Sequence, residues 1–227
     1  MSTKQEFFTL MGGRVKMRRG IYNPTSDAVW LAAFAPTAAK TVLDVGVGSG
    51  GVSLCILAHN PNAQITGLEI SDDMLSACSD NAQLNNADLE LIHSDIYTWR
   101  TTRTFDLVVT NPPYFNGTPA KHNAHHNADL VTWISRCMAR VRPMGTFCII
   151  TDASTLATAV STMAQKLGDI NIIPLFGANA YAERVLISGR LGTNGISRLH
   201  HGMSMNCEAI LRDGLTIAEA LTTLSLK

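Results

Sequence analysis

The stretch Leu43-Asp44-Val45-Gly46-Val47-Gly48-Ser49-Gly50-Gly51 decides the fold class, because it has the pattern of a buried strand that ends in a glycine loop and opens a helix. Glycines let the backbone approach a ligand closely, and the first N–H groups of the helix are free to donate hydrogen bonds. Gly46, Gly48 and Gly51 also satisfy the spacing G-x-G-x-x-G of dinucleotide-binding loops. Taken alone, the loop predicts a cofactor that contains adenosine, without separating NAD from other such cofactors.

Carboxylates near this loop narrow the choice of cofactor. Asp44 directly precedes the loop, where its charge would repel a dinucleotide pyrophosphate but attract the ammonium and sulfonium groups of S-adenosylmethionine. Glu69 ends the next predicted strand and is placed to accept hydrogen bonds from both hydroxyls of a ribose. Asp95 follows the third predicted strand, where it either binds the amino group of an adenine or caps a turn.

The rest of the chain alternates apolar runs with helical patterns, which predicts a parallel sheet covered by helices on both faces. The predicted strands are residues 41–45, 65–70, 89–93, 105–110 and 145–151. The predicted helices are residues 28–34, 51–59, 72–85, 129–141, 154–167 and 216–224, the first of them capped by Ser26 or Asp27. Strands at 170–176 and 184–190 have no helix between them and predict an antiparallel pair at one sheet edge. We therefore expect an α/β, Rossmann-like fold with a mostly parallel sheet of seven strands.

Composition limits the class of protein and its location. With 227 residues, 46% of them hydrophobic, the chain can form one main domain at 36–227 with a small basic element and helix at 1–35 packed on it. It has no apolar run long enough to span a membrane. Residues 1–10 include polar and charged residues where a signal peptide would need an apolar stretch, so we expect a cytoplasmic protein with no membrane partner. Its five scattered cysteines form no C-x-x-C pair and predict reduced thiols rather than disulfides or a zinc site.

A basic segment precedes the glycine loop, although Lys plus Arg and Asp plus Glu both total 18 over the whole chain. Arg14, Lys16 and Arg18 alternate, so an extended segment would place them on one face, with Arg19 next to them. Such a face either contacts the phosphates of a nucleic acid or is simply solvated. Both interpretations remain open from the sequence.

The second informative motif is Asn111-Pro112-Pro113-Tyr114, directly after the predicted strand 105–110. The carboxyl ends of neighbouring parallel strands meet at one edge, so this motif should face the same crevice as the glycine loop. The side-chain oxygen of Asn111 and the carbonyl of Pro112 can accept both hydrogens of a planar amino group, while Tyr114 stacks on its plane. Hydrogen bonds that aim the nitrogen lone pair at a methyl group would help the transition state more than the ground state.

Together these segments resemble the class I methyltransferases that carry an N-P-P-Y motif. More narrowly, the chain is similar to bacterial tRNA adenine-N6 methyltransferases acting beside the valine anticodon, through 12–15, 25–33, 111–115, 124–126, 128–130, 133–134 and 184–187. One departure is Ser26 between Thr25 and Asp27, where the family has glycine before Thr-Asp, so the residue that lines the pocket is open.

The resemblance implies transfer of a methyl group from S-adenosylmethionine to adenine N6 in a tRNA. The implied catalytic residues are Asn111, Pro112 and Tyr114, and the implied substrate contacts are Pro113, Tyr114 and Phe115. The charge pattern adds Arg14, Lys16, Arg18 and Arg19 as candidate contacts to the phosphates of the substrate. The cofactor is expected to bind Asp44, Gly46, Gly48, Gly50, Glu69, Asp95 and Asn111.

Several alternatives remain. N-P-P-Y suits the amide of a protein glutamine, or an amino group of rRNA or DNA, as well as an adenine in tRNA. A non-catalytic adenosine-nucleotide module or an NAD enzyme is disfavoured by Asp44 and Asn111. His122, His125 and His126 lack carboxylates or thiols nearby, so we predict no metal there and instead a loop over the substrate.

Overall fold

The computed structural model describes residues 6–20, 23–113 and 123–225, leaving aside the side chains of 123–128 and 223–225. Strands are β1 (Phe7–Leu10), β2 (Val15–Arg18), β3 (Thr41–Val45), β4 (Gln64–Glu69), β5 (Leu89–His93), β6 (Phe105–Thr110), β7 (Val141–Asp152), β8 (Leu167–Phe176), β9 (Arg184–Leu191), β10 (Arg198–Leu199) and β11 (Met203–Ser204). Helices are α1 (Ser26–Phe34), α2 (Gly51–His59), α3 (Asp72–Leu84), α4 (Asn123–Met138), α5 (Leu156–Met163), α6 (Glu208–Leu211) and α7 (Ile217–Ser225).

The central sheet has the order β10-β8-β9-β7-β6-β3-β4-β5. Strands β3 to β7 are all parallel, whereas β9 runs antiparallel between β7 and β8. This confirms the predicted α/β fold and the predicted antiparallel pair, β8 with β9, and β9 is also antiparallel to β7. The strand order reverses between β3 and β6, so the carboxyl ends of these two strands form the crevice in which such sheets bind ligands.

Within the described residues, the sheet has nine strands rather than the predicted seven. The two additional strands, β10 and β11, are two residues each and pair with β8. Their sequences are too short to show an alternating pattern, so only the tertiary structure reveals them. Seven strands remain the body of the sheet, and the prediction was wrong only at its edge.

Element boundaries differ from the predictions in several places. Helix α4 begins at Asn123 rather than 129 and ends at Met138, because residue 141 already belongs to β7. Strand β7 is longer than predicted. Thr25, not Ser26 or Asp27, caps α1 by accepting a hydrogen bond from the Asp27 amide at 3.4 Å. Helix α5 is shorter than predicted, because residues 153–155 form a separate turn of 3-10 helix.

The N-terminal segment shares a hydrophobic core with the sheet. Strands β1 and β2 form an antiparallel hairpin, in which Val15 and Met17 are buried while Lys16 and Arg18 are exposed. Met11, Met17 and the fully buried Trp30 of α1 belong to the same apolar cluster as residues from β3, α2 and β7. The division at residues 35 and 36 remains a prediction, and continuous packing runs across it. In the part of the chain that the structure describes, no helix combines the length and apolar character needed to cross a membrane.

Candidate functional site

The glycine loop lies between β3 and α2 at the carboxyl edge of the sheet. Gly46, Gly48 and Gly50 all have positive φ, at 73°, 54° and 89°, which side chains other than glycine rarely adopt. A Cβ on Gly50 would lie 2.9 Å from the sulfur of Cys78 on α3, so this position also has no room for a side chain. The amide of Gly46 donates to the Leu68 carbonyl at 2.8 Å and fastens the loop to β4. The positive φ angles and the hydrogen bond to β4 therefore fix the conformation of the loop at the carboxyl edge of the sheet.

Asp44 lies beneath this loop and is 1% exposed. Its Oδ2 accepts a hydrogen bond from the Ser53 hydroxyl at 2.7 Å, whereas its buried Oδ1 has no hydrogen-bond partner. Burial, reinforced by the charge of Glu69, raises the pKa of Asp44 to about 7. A buried carboxylate with a free oxygen stabilises a cation placed near it, as the sequence predicts for the ammonium or sulfonium of a cofactor.

Glu69, at the end of β4, holds the glycine loop through its carboxylate. Oε2 accepts from the Gly48 amide at 3.0 Å, and Oε1 accepts from the amides of Ile70 at 2.9 Å and Ser71 at 3.1 Å. These bonds fix the orientation of the carboxylate. Each carboxylate oxygen has two lone pairs, so Oε2 in particular can still accept from a ribose hydroxyl.

A small cavity beside Glu69 is lined on its other sides by Asp95, Ile96 and Trp133. Asp95 uses Oδ1 to accept from the Tyr97 amide at 2.9 Å, so it caps a turn and still faces the cavity. Trp133 of α4 donates from Nε1 to the Thr110 hydroxyl at 3.0 Å, and its ring lies next to Gly46. The cavity has one aromatic wall and two carboxylates at its rim, and these groups can border an adenine and accept hydrogen bonds from a ribose.

A second small cavity lies on the opposite side of Gly46 and is lined by Thr25, the glycine loop and Asn111. Within the described residues, no side chain or backbone group hydrogen-bonds to the Asn111 amide. Asp27 is buried and forms an ion pair with Arg184 at 3.2 Å, so Thr25 and not Asp27 lines this cavity. Asn111 thus adjoins the glycine loop with its polar groups available, as its position after β6 predicts.

The basic residues lie along one side of the molecule rather than at one point. Arg14 lies near the amino edge of the sheet, where its guanidinium donates to the carbonyls of Gly214, at 2.8 Å, and Ala58. These two bonds give Arg14 a structural role at a distance from the glycine loop. Lys16 and Arg18 are exposed on β2, which runs beside α3 toward the loop, and Arg19 follows them.

Some predicted site residues have no described structure to compare. Tyr114, Phe115 and His122 lie outside the described residues, as do the side chains of His125 and His126. Pro112 is buried and Pro113 is exposed. Among the described residues no group of His, Cys, Asp and Glu is arranged to hold a metal ion. Another cavity, lined by Arg14, Gln64 and Arg103, opens at the amino edge, away from both motifs.

Sequence reasoning from single motifs missed two residues that shape this region. Trp133 forms a wall of the cavity beside Glu69, and Asn81 of α3 contacts the glycine loop. Neither residue lies in a motif next to the loop, and both reach it from helices that are distant in sequence. An asparagine with 2% exposure inside a helix is a signal in the structure that the sequence alone does not carry.

The family model described as methyltransferase small domain matches residues 25–175. The chain belongs to the methyltransferase small domain family. This confirms the family predicted from the two motifs. A predicted O-methyltransferase from Agrobacterium tumefaciens has a similar fold, with a TM-score of 0.66 at 21% identity over 79% of this chain and 88% of that one.

Curated relatives include a tRNA1(Val) (adenine(37)-N6)-methyltransferase of Glaesserella parasuis, 33% identical over 53% of this chain and 55% of that protein. A protein of the same name from a Flavobacteriaceae bacterium is 28% identical over 76% of this chain and 79% of that protein. A release factor glutamine methyltransferase of Lactococcus lactis is 37% identical over 32% of this chain and 27% of that protein. The chain therefore spans only about half the length of the Glaesserella parasuis relative.

Proposed function

We propose that this chain transfers a methyl group from S-adenosylmethionine to N6 of an adenine in tRNA, beside the anticodon. The observation that carries the proposal is that Asn111, with an amide free of other described partners, lines one cavity with the glycine loop. An acceptor for an amino group and a loop suited to adenosine therefore lie next to each other. The relatives that are named tRNA1(Val) (adenine(37)-N6)-methyltransferase support adenine as the target.

The residues around the loop fit S-adenosylmethionine better than NAD. The Oδ1 atom of Asp44, which has no hydrogen-bond partner, favours a cation nearby. The pyrophosphate of NAD would instead be repelled by this buried carboxylate. In this proposal Glu69 binds the ribose, Asp95 and Trp133 border the adenine, and Asp44 stabilises the charged end. When bound, S-adenosylmethionine would supply an electrophilic methyl group: the amine nitrogen would attack the methyl carbon opposite the sulfur, the carbon–sulfur bond would break, and S-adenosylhomocysteine would leave.

The protein's own contribution is to orient the amine. An exocyclic nitrogen is a poor nucleophile, because its lone pair is delocalised into the ring. The Asn111 side-chain oxygen and the Pro112 carbonyl accept its two hydrogens and favour a tetrahedral nitrogen whose lone pair points at the methyl carbon. The nitrogen loses one of its protons to water after the transfer. No residue has to act as a strong base, because the methylated amine is acidic before it loses the proton.

The adenine has to leave its stack to reach this crevice, at a cost of a few kcal/mol in a duplex. A base in an anticodon loop is already partly unstacked, which lowers that cost. In the proposal Tyr114 stacks on the extruded base, and Lys16, Arg18 and Arg19 contact phosphates on the flanking strand. Phosphate contacts position the RNA without selecting its sequence.

The test is incubation of the purified protein with labelled S-adenosylmethionine and separate tRNA, rRNA, DNA and protein fractions from a strain lacking the gene. Digestion of the labelled tRNA to nucleosides should give N6-methyladenosine, and digestion to oligonucleotides should place the label at a single position beside the anticodon. Label in a protein fraction, released as methylglutamine on proteolysis, would instead support the function named for the Lactococcus lactis relative. Tighter binding of NAD than of S-adenosylhomocysteine would reject the cofactor assignment.

A further inference from the structure

Asn81 connects two segments to which the proposed function gives different tasks. Its Nδ2 donates to the carbonyl of Ser49 in the glycine loop at 2.9 Å. Its Oδ1 accepts a hydrogen bond from the backbone amide of Arg18 in β2 at 2.8 Å. The side chain is 2% exposed, so water does not replace either bond without local opening.

The rest of α3 strengthens this connection on the loop side. Cys78, one turn before Asn81, packs against Gly50, so α3 contacts two consecutive residues of the loop. On the strand side, β2 lies along α3 and is hydrogen-bonded to it by asparagine side chains. A shift of the Arg18 backbone is therefore transmitted through one buried amide to the loop that is proposed to hold the cofactor.

We propose that Asn81 is a positioning residue that couples polynucleotide binding on the basic strand, Lys16 to Arg19, to cofactor binding at the glycine loop. This inference rests on the proposed function. Each ligand reduces the motion of the same unit, which consists of β2, α3 and the glycine loop. The ligand that binds second therefore loses less conformational entropy and binds more tightly. The coupling is reciprocal, and the RNA and the cofactor must raise each other's affinity by the same factor.

Asn85 offers a matched control on the same helix. It accepts from the Lys16 amide at 2.8 Å and donates to the Lys16 carbonyl at 2.7 Å, so it also fastens β2 to α3. Unlike Asn81, it makes no contact with the glycine loop among the hydrogen bonds of the described residues. Replacing either asparagine by aspartate keeps the acceptor and turns a donor that faces a carbonyl into a repelling oxygen.

The experiment measures the Kd of S-adenosylhomocysteine with and without saturating unmodified tRNA transcript, and the Kd of the transcript with and without S-adenosylhomocysteine. In the wild type we expect each ligand to tighten the other about fivefold or more. Asn81→Asp should weaken S-adenosylhomocysteine binding and lower the coupling factor to about one, while Asn85→Asp keeps it. Thermal unfolding of each variant establishes that it is folded under the conditions of the titration.

A second measurement needs no variant and no RNA. Hydrogen exchange at the Arg18 amide should slow when S-adenosylhomocysteine binds, although no residue of β2 is among those that line the two cavities beside the loop. The inference would be overturned if the exchange rate of the Arg18 amide did not change. It would also be overturned if the two ligands did not affect each other's Kd in the wild type, or if both variants lost the coupling equally. The proposed function fails separately, if tRNA accepts no methyl group while the protection of Arg18 by S-adenosylhomocysteine persists.

Discussion

At the scale of single residues, Asn111 carries the proposed chemistry and gives the sharpest test. Asn111→Ala should lower kcat by on the order of a hundredfold, about 3 kcal/mol, because it removes an acceptor that acts on the transition state. The Kd of S-adenosylhomocysteine should change much less than kcat, because Asn111 is only one of the residues expected to contact the cofactor and the loop and Glu69 remain in place. Single-turnover rates and calorimetry measure the two effects separately.

Asn111→Asp separates the acceptor oxygen from the neutral amide at constant size. If accepting hydrogen bonds from the amine were sufficient, the aspartate would retain most of the activity. We expect a large loss instead, because a new negative charge joins Asp44 and Glu69 near the loop and alters the field at the reacting atoms. Tyr114→Ala should strongly weaken binding of the target base, because it removes the ring on which the base is proposed to stack. Tyr114→Phe should weaken it only slightly, because the ring remains. Single-turnover rates near wild type for folded Asn111→Ala would remove Asn111 from the mechanism.

Asp44 predicts a pH dependence of both stability and cofactor binding. Its pKa in the folded protein is raised to about 7 by burial, so between about pH 4 and 7 the folded state binds a proton that the unfolded state has released. The free energy of unfolding contributed by this group therefore falls as pH rises from 4 to 7, and levels off above. Binding of S-adenosylhomocysteine, which carries an ammonium, should tighten around pH 7, where Asp44 ionises in the folded protein.

Asp44→Asn is the variant that isolates this contribution. The difference in unfolding free energy between variant and wild type should shift in favour of the variant by about 2 kcal/mol from pH 5 to pH 7.5, since one pKa unit corresponds to about 1.4 kcal/mol. Affinity for S-adenosylhomocysteine should be weaker in the variant at pH 8 and show less change with pH. Parallel stability profiles of the two proteins would show that Asp44 does not titrate in this range.

At the scale of elements, the basic strand predicts the salt dependence of RNA binding. Reversing Lys16, Arg18 and Arg19 to glutamate should weaken tRNA binding and reduce the slope of log K against log salt by about two, since each lost phosphate contact removes about 0.7 to 0.9. Arg14→Ala is the contrasting variant, because Arg14 binds the carbonyls of Gly214 and Ala58. It should lower the Tm and leave the slope unchanged. Equal slopes for wild type and the triple variant would mean that this face is only solvated.

The elements also show which parts of the fold the sequence predicts well. Strands 41–45, 89–93 and 105–110 and the helix 51–59 agree with the structure to the residue, because each is an apolar run bounded by clear turn or cap residues. The predicted strand β7 is too short, because Arg142, Pro143 and Met144 are exposed and break the apolar pattern, whereas the strand begins before them, where Val141 pairs with Phe105, and its pairing resumes at Thr146 after a shift in register. Such differences come from tertiary pairing, which local sequence does not encode.

At the scale of the whole molecule, the candidate site could be predicted in part because of the topology. Once a parallel sheet is predicted, the glycine loop, Glu69 and Asn111 must share its carboxyl edge, and the structure places them there. Thr25, Asn81 and Trp133 join them from helices that pack on different sides of the sheet. Their positions depend on how those helices pack, so the distances between these residues cannot be predicted from the sequence.

The same packing predicts how the chain unfolds. Trp30 is fully buried in the apolar cluster that joins residues 11–35 to β3, α2 and β7, and its Nε1 donates to the Met205 carbonyl at 3.3 Å. A shared core of this kind should unfold as one unit. Replacing Trp99 and Trp133 with phenylalanine leaves Trp30 as the single tryptophan of the three.

In that variant, denaturant unfolding followed by Trp30 fluorescence should coincide with unfolding followed by far-ultraviolet circular dichroism, which reports mainly on the sheet and helices. The comparison is internal to one protein, so destabilisation by the two phenylalanines does not affect it. Trp30→Ala should lower the stability of the whole chain by about 3 to 5 kcal/mol, because it leaves a large cavity in the shared core. A fluorescence midpoint at lower denaturant than the dichroism midpoint would show that residues 1–35 unfold separately, as an independent element docked on the methyltransferase domain.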